Sequence, residues 1–257
     1  MTRQILLLSH PRSGSSWLGS VLAGGRGVVY RREPVLTARS GEVADPFGAV
    51  EDPRALAELV DAAFTAPADA TVVVKEVTPL LLPALVQGRN VTVIHLRRHP
   101  GDVAASHLER GWRPSERLIN RRGITERARR VVSDGWRDLP EFAQLVAYFG
   151  AVDASIEEDA TRAAAIEVRY EDLVRRRLGP VTEVFESLGL DGADLERPEV
   201  DADRADPYGV GSRRRRTTSP WRGTPEASVA REAWLATGAR GYSEARLWDV
   251  PAETQDR

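Results

Sequence analysis

Short apolar runs alternate with helix-like segments along most of this chain. Runs of branched apolar residues that are bounded by turn signals are typical of buried parallel strands. The runs of this kind are Ile5–Ser9, Val28–Tyr30, Thr71–Lys75, Val91–Leu96 and Ala165–Tyr170. The helix-like segments are Ser16–Ala23, Pro53–Thr65, Gly101–Leu108, Val181–Leu188 and Pro225–Thr237. This alternation predicts an α/β fold in which one parallel β-sheet is flanked by helices in a single domain.

Two other stretches complete the chain. Residues 109–165 are predicted to be mostly helical, whereas residues 198–225 are rich in proline, glycine, aspartate and arginine and show no periodicity. A loop of that length in a compact domain is usually a lid, a binding loop or disordered. We expect one domain over residues 1–248 and a flexible tail over residues 249–257. Right-handed crossovers place the loops that follow the strands along one sheet edge, where binding residues are expected.

Composition and charge narrow the class of protein. The formal net charge of −2 gives no overall field that would attract nucleic acid or an anionic membrane. The absence of cysteine excludes disulfides, thiolate metal sites and cysteine nucleophiles. The N-terminal apolar run is too short for a secretory signal, and no stretch is long enough to span a bilayer. We therefore expect a cytoplasmic protein without an integral membrane segment, and nothing in the sequence indicates its oligomeric state.

The first candidate site follows the first predicted strand. The segment Ile5–Leu22 reads ILLLSHPRSGSSWLGSVL, so a strand runs through a glycine turn into a helix. A helix N-terminus attracts anions through its free amides and its dipole. Around Gly14, the side chains that add hydroxyl donors or a positive charge are Arg12, Ser13, Ser15 and Ser16. The segment lacks the GxxxxGK[ST] pattern of ATP-binding loops, and an ordinary N-capped helix is the structural alternative.

The second candidate site follows the fourth predicted strand. The segment Val91–Ser106 reads VTVIHLRRHPGDVAAS, in which Arg97 and Arg98 end the strand and Pro100 suits the first helical position. An arginine at the strand end and Ser106 on the helix could hold a second phosphate. Taken alone, the arginine pair is more often solvated.

Together the two segments resemble the sulfotransferases that use 3′-phosphoadenosine 5′-phosphosulfate (PAPS). In that family a PxSGxxW loop binds the 5′-phosphosulfate and an RxPxDVxxS segment binds the 3′-phosphate. The first pattern is matched by Pro11–Trp17 and the second by Arg98–Ser106. The likeness extends over most of the chain and implies the P-loop NTPase-like sulfotransferase fold for residues 1–248.

The resemblance also implies a role for individual residues. Arg12 would face the phosphosulfate, and Ser13, Gly14, Ser15 and Ser16 would form the loop around the 5′-phosphate. Trp17 would lie near the adenine, as would Tyr170, which stands in a segment similar to the family's YEDL motif. Arg98 and Ser106 would bind the 3′-phosphate. As an alternative, Tyr170 could equally be a core aromatic residue at a strand end.

A C-terminal basic loop closes over the 3′-phosphate in the family and is matched loosely here by Gly211–Arg216. The usual Arg-Lys-Gly triplet is absent, so the choice among Arg213, Arg214, Arg215 and Arg216 stays open. A run of like charge is otherwise usually a solvated loop. Trp221, which follows this run, is expected to be a packing residue.

The catalytic base is the point at which branches of the family differ. Many aryl and steroid sulfotransferases place a histidine two residues after a lysine, but here Lys75 is followed by Glu76 and Val77. Another branch, with carbohydrate and many bacterial enzymes, has a glutamate in a Glu-Pro dipeptide, which Glu33-Pro34 matches. Glu33 is therefore the first candidate for the base and Glu76 the second. Lys75, the only lysine in the chain, would stabilise the leaving group, and no metal is required.

The predicted activity is transfer of the sulfuryl group from PAPS to a hydroxyl group, or to an amine, with release of adenosine 3′,5′-bisphosphate (PAP). The expected acceptor is a small molecule, a carbohydrate or a lipid. A nucleotide-dependent kinase of related fold is the first alternative. The second alternative is a PAP- or PAPS-binding protein without catalytic activity.

Overall fold

A computed structural model describes residues 3–35, 53–114, 135–162, 165–175, 179–190 and 220–249. These residues belong to two compact units, the first within Met1–Arg98 and Arg162–Thr217 and the second within His99–Thr161 and Thr218–Arg257. The arginine run at 213–216 and the tail after residue 249 lie outside the described residues. The expectation of one domain over residues 1–248 stays a prediction.

The first unit is built on a five-stranded, fully parallel sheet. Its strands are β1 (Arg3–Ser9), β2 (Val28–Arg32), β3 (Thr71–Glu76), β4 (Val91–Arg97) and β5 (Ile166–Arg169). Their order is β2-β3-β1-β4-β5, which confirms the predicted α/β architecture. Several strands run past their apolar segment, because backbone pairing with a neighbour decides where a strand ends. Arg32, for example, still pairs with Lys75.

The helices connect these strands and form most of the second unit. In chain order they are α1 (Ser15–Ala23), α2 (Pro53–Phe64), α3 (Leu82–Val86), α4 (Pro100–Glu109), α5 (Glu141–Arg162), α6 (Tyr170–Arg175), α7 (Gly179–Ser187) and α8 (Pro225–Thr237). Two short helices, α3 and α6, were not expected from the sequence. Tyr170 therefore begins a helix directly after β5 instead of ending the strand. Among the described residues, no helix combines the length and the apolar character that crossing a membrane requires.

The central strands of this sheet, β1, β3 and β4, are buried on both faces. On one face, α1, α6 and α7 enclose a core whose buried members include Leu7, Leu18, Val73, Ile94 and Phe185. On the other face, the alternate side chains of the central strands are also buried, among them Leu6, Leu8, Val72 and Val74. Burial on both faces explains why the central strands are mostly apolar along their length, whereas β5 alternates apolar and charged residues.

The second unit has an aromatic core around the N-terminus of α4. His99 stacks on Trp221 at 4.9 Å between ring centroids, and it also meets the rings of Tyr242 and Trp248. The indole of Trp221 donates a hydrogen bond of 3.0 Å to Asp102. A side chain at Gly101 would come within 2.5 Å of the Trp221 ring, so glycine is needed there. Trp221 is a buried packing residue, as the sequence predicted.

Candidate active site

The carboxyl ends of the five strands bring most of the predicted site residues to one edge of the sheet. β1 lies at the centre, with β3 on one side and β4 on the other. In open parallel sheets, ligands bind at the edge where the direction of strand addition reverses. The loop that follows β1 lies at that position. The ends of β3 and β4 flank it, and both are held in register with β1.

The loop after β1 presents an open helix N-terminus. Gly14 is the N-cap of α1 with φ +91°, a left-handed conformation that favours glycine, and no described side chain caps this end. The first amides of the helix therefore keep their donors for an anion. Ser13 is fully buried, and within the described residues its hydroxyl has no hydrogen-bond partner. These two features fit a phosphate-containing ligand.

Arg98 and Tyr170 brace this loop from the ends of β4 and β5. The Arg98 guanidinium donates a hydrogen bond of 3.0 Å to the carbonyl oxygen of Arg12 and lies 4.8 Å from the Tyr170 ring centroid. The same ring covers Gly14 so closely that a Cβ atom there would lie 2.5 Å from two ring carbons. Glycine at position 14 is thus required both by its backbone angle and by the tyrosine. The structure brings Gly14, Arg98 and Tyr170 together.

A buried ion pair lies beside the loop, at the ends of β2 and β3. The ammonium group of Lys75 donates to Oε1 of Glu33 and, at 3.4 Å, to the hydroxyl of Ser16. The Lys75 side chain is 2% exposed and that of Glu33 is 18% exposed, so the carboxylate retains access from outside. Burial lowers the pKa of Lys75, and the nearby Glu33 carboxylate opposes that shift.

Glu33 holds its position in an uncommon backbone conformation. Its φ of +50° lies in the left-handed region, which is rare for residues other than glycine. Its amide donates a hydrogen bond of 2.7 Å to the carbonyl oxygen of Lys75. Arg32, the preceding residue, places its guanidinium 3.9 Å from the same carboxylate. The chain therefore leaves β2 at Glu33, and two positive groups, those of Arg32 and Lys75, lie near the Glu33 carboxylate.

Glu76 differs from Glu33 in both exposure and partner. It is fully buried, and its Oε1 accepts a hydrogen bond of 2.7 Å from the amide of Val35. This carboxylate is engaged with the backbone just after Glu33. The two candidates for the base that the sequence left open are thus placed in different surroundings.

The remaining predicted residues are distributed as follows. Trp17 is half-buried and packs against the core of the first unit. Ser106 lies on α4 in the second unit. Arg213, Arg214 and Arg215 lie outside the described residues. Their roles at the site stay predictions.

Sequence reasoning missed two features of this edge. Tyr30 of β2 buries its hydroxyl against Gly19 of α1, where a Cβ atom would lie 2.3 Å from that oxygen. The hydrogen bond from Val35 to Glu76 was also missed. Only the presence of a glycine within a helix signalled the first, and the sequence carried no signal for the second.

Comparison with known proteins finds similarity only at the level of solved structures. No family model matches the chain, and no curated protein matches it. Among solved structures, the sulfotransferase domain from the curacin biosynthetic pathway is similar with a TM-score of 0.52 and 17% identity, over 77% of this chain and 78% of that one. A sulfotransferase from Alicyclobacillus acidocaldarius is similar with a TM-score of 0.52 and 13% identity, over 98% of each chain.

The class that the sheet and its loop define is an α/β protein with an uncapped helix N-terminus after the central strand. Both solved structures are of sulfotransferases, and both match over most of this chain. At identities of 17% and 13% the likeness concerns the fold. The chain has the sulfotransferase fold, as the resemblance of its motifs implied.

Proposed function

We propose that this protein is a sulfotransferase that moves the sulfuryl group of PAPS to a hydroxyl group of a small-molecule, carbohydrate or lipid acceptor and releases PAP. The observation that carries the proposal is the contact of the Lys75–Glu33 pair with Ser16, at the start of α1. This contact puts a cation and a partly exposed carboxylate beside a loop suited to a phosphate. An amine acceptor is the less favoured variant of the same reaction.

The donor would be bound mainly by groups at the carboxyl ends of β1, β4 and β5. The amides of Gly14, Ser15 and Ser16 at the start of α1 would hold the 5′-phosphate, with Ser13 supplying a buried hydroxyl. Arg98, braced on the loop, would meet the 3′-phosphate. Trp17 and Tyr170 would lie near the adenine. Ser106 and one arginine of the 213–216 run enter this proposal from the motif resemblance alone.

Glu33 is proposed as the general base and Lys75 as the group that stabilises the leaving phosphate. Glu33 accepts the proton of the acceptor hydroxyl while the acceptor oxygen forms its bond to sulfur. In the same step the bond between sulfur and the bridging phosphate oxygen breaks, and its electron pair stays on PAP. Lys75, with Arg12, offsets the negative charge that develops there. Glu33 is preferred to Glu76 because its side chain is partly exposed, whereas Glu76 is fully buried.

The first experiment separates this reaction from the kinase alternative. The thermal stability of the protein is measured with PAP and, in parallel, with ATP and Mg²⁺. A ligand that binds only the folded state, at about 100 times its dissociation constant, adds about 2.7 kcal/mol. We expect a clear rise in Tm with PAP and little change with ATP and Mg²⁺. The reverse result would exclude the PAPS site and favour the kinase.

A second experiment distinguishes an enzyme from a protein that only binds PAP or PAPS. PAP release from PAPS is measured with a simple sugar, a fatty alcohol and a phenol as probe acceptors. Glu33→Gln and Lys75→Ala should each lower turnover by about 100-fold or more while PAP still raises Tm. Glu58→Gln, on the exposed face of α2, is the matched control and should leave turnover unchanged. Turnover that survives both site substitutions would contradict the assignment.

A further inference from the structure

The turn that carries Glu33 is fastened to the end of β3 by two hydrogen bonds. The amide of Glu33 donates to the carbonyl oxygen of Lys75, and the amide of Val35 donates to the carboxylate of Glu76. Both bonds measure 2.7 Å, and Val35 is fully buried. Pro34, which stands between the two donors, has no amide hydrogen. The two bonds therefore use every amide hydrogen of this turn.

These bonds hold a backbone that would not adopt its conformation unaided. A left-handed conformation is unfavourable for a residue with a side chain, and Glu33 has φ +50°. Such strain persists only where surrounding contacts impose it. The bond to Val35 fixes the chain on the far side of Pro34, so that Glu33 cannot relax toward an extended conformation. Its carboxylate then meets the ammonium group of Lys75.

We propose that Glu76 is a positioning residue, which holds the turn at Glu33 in its left-handed conformation and so keeps the Glu33 carboxylate against Lys75. This inference rests on the proposed function in one respect only, namely that Glu33 is the base. Glu76 itself takes no proton from the acceptor. Its own carboxylate is fully buried and lies one residue beyond Lys75 in β3.

The chain offers a direct probe of this arrangement, because Lys75 is its only lysine. Protein labelled with ¹³C at the lysine ε-carbon gives one methylene signal, which reports the surroundings of the Lys75 ammonium group. Glu33→Gln removes the negative charge next to that group and defines the Lys75 signal without the ion pair at neutral pH.

Two substitutions at position 76 separate its hydrogen bond from its charge. Glu76→Gln keeps an oxygen that accepts from Val35 and removes the charge, whereas Glu76→Ala removes both. We expect the Lys75 signal of Glu76→Ala to move to that of Glu33→Gln, and the signal of Glu76→Gln to stay near that of the unaltered protein. A Glu33→Gln/Glu76→Ala double variant should move no further than Glu33→Gln alone. Glu58→Ala serves as the control and should leave the signal in place.

Turnover should follow the same order. With PAPS and the probe acceptors, Glu76→Ala should lose about tenfold or more in kcat with little change in the KM for PAPS, and Glu76→Gln should retain most of its activity. Loss of activity in Glu76→Gln comparable with that in Glu33→Gln would overturn the proposal and make Glu76 the base. An unchanged Lys75 signal in Glu76→Ala would overturn it as well.

If the proposed function is wrong, the measurements give a different pattern. In that case PAP would not stabilise the unaltered protein and PAPS would not turn over, while the Lys75 signal would still respond to position 76. Should Glu76→Ala not fold, the comparison of Glu76→Gln with Glu33→Gln decides the question, since the two proteins differ only in which carboxylate is neutral.

Discussion

At the scale of the residue, Tyr30 of β2 is partly buried and turns its hydroxyl into the interior. Its hydroxyl is buried and has no hydrogen-bond partner among the described residues. Burial raises the pKa of Tyr30 from 10.0 to about 12, with Arg32 opposing the rise and Glu33 adding to it. The folded protein therefore keeps this proton at a pH where the unfolded chain has lost it.

Replacement of Tyr30 by phenylalanine should remove a pH dependence of the stability in the alkaline range. Between pH 10 and pH 12 the unfolded chain releases the Tyr30 proton first, so the free energy of unfolding falls as pH rises, on the order of 2 kcal/mol over the window. Tyr30→Phe should lack this part of the decline. Urea unfolding at pH 9, 10.5 and 11.5 measures the effect. If the free energies of unfolding of Tyr30→Phe and of the unaltered protein change in parallel with pH, the pKa of Tyr30 is not raised by folding and the prediction is wrong.

At the scale of the element, two glycines allow α1 to contact β2 and α6 closely. Gly19 lets α1 approach the ring of Tyr30, and Gly14 lets the Tyr170 ring of α6 cover the start of α1. Helix α1 is thus positioned from β2 and from α6 together. At Gly19 the Tyr30 ring occupies the space of a side chain, which explains a glycine inside the helix despite its low helix propensity.

The contact at Gly19 predicts a coupled pair of substitutions. In Gly19→Ala the new methyl group would lie within 3 Å of three atoms of Tyr30, so we expect a loss of about 1–3 kcal/mol in the free energy of unfolding. Tyr30→Val in the same chain should recover part of this loss, and a double-mutant cycle gives the coupling. Gly24→Ala is the control, since its methyl group would meet only one backbone oxygen at 3.3 Å. Additive effects at positions 19 and 30 would contradict the contact.

At the scale of the whole molecule, each unit contains its own reporter of unfolding, a chemical one in the first unit and a fluorescent one in the second. Lys75, the only lysine, is buried in the first unit, whereas the buried tryptophans Trp136, Trp221, Trp234 and Trp248 belong to the second. Acylation of the lysine requires that the first unit open. Tryptophan fluorescence follows mainly the second unit.

These reporters test the prediction of a single domain over residues 1–248. If the chain unfolds as one domain, the urea midpoint for acylation of Lys75, read by peptide mass, should coincide with the midpoint of the fluorescence transition. In buffer without urea, Lys75 should react at least 100-fold more slowly than in the unfolded chain. Midpoints that separate would show that the two units unfold independently.

The sequence predicted the order and type of the main elements because their signals are local. Short runs rich in branched apolar residues marked the strands of the sheet, and a proline at the first helical position marked α4 and α8. The short helices α3 and α6 were missed, since a helix of five or six residues has little periodicity to detect. Strand ends also shifted by one or two residues, because pairing with neighbouring strands sets them.

From the sequence alone one can predict which residues stand at the carboxyl ends of the strands, and hence that Gly14, Glu33, Lys75, Arg98 and Tyr170 lie along one edge of the sheet. How these residues pair depends on the tertiary structure. The hydrogen bonds from Lys75 to Glu33, from Arg98 to the loop and from Val35 to Glu76 join residues 41 to 86 positions apart. Such pairings depend on strand order and on backbone angles such as that of Glu33. No local pattern encodes either of these, because both arise when the whole sheet packs.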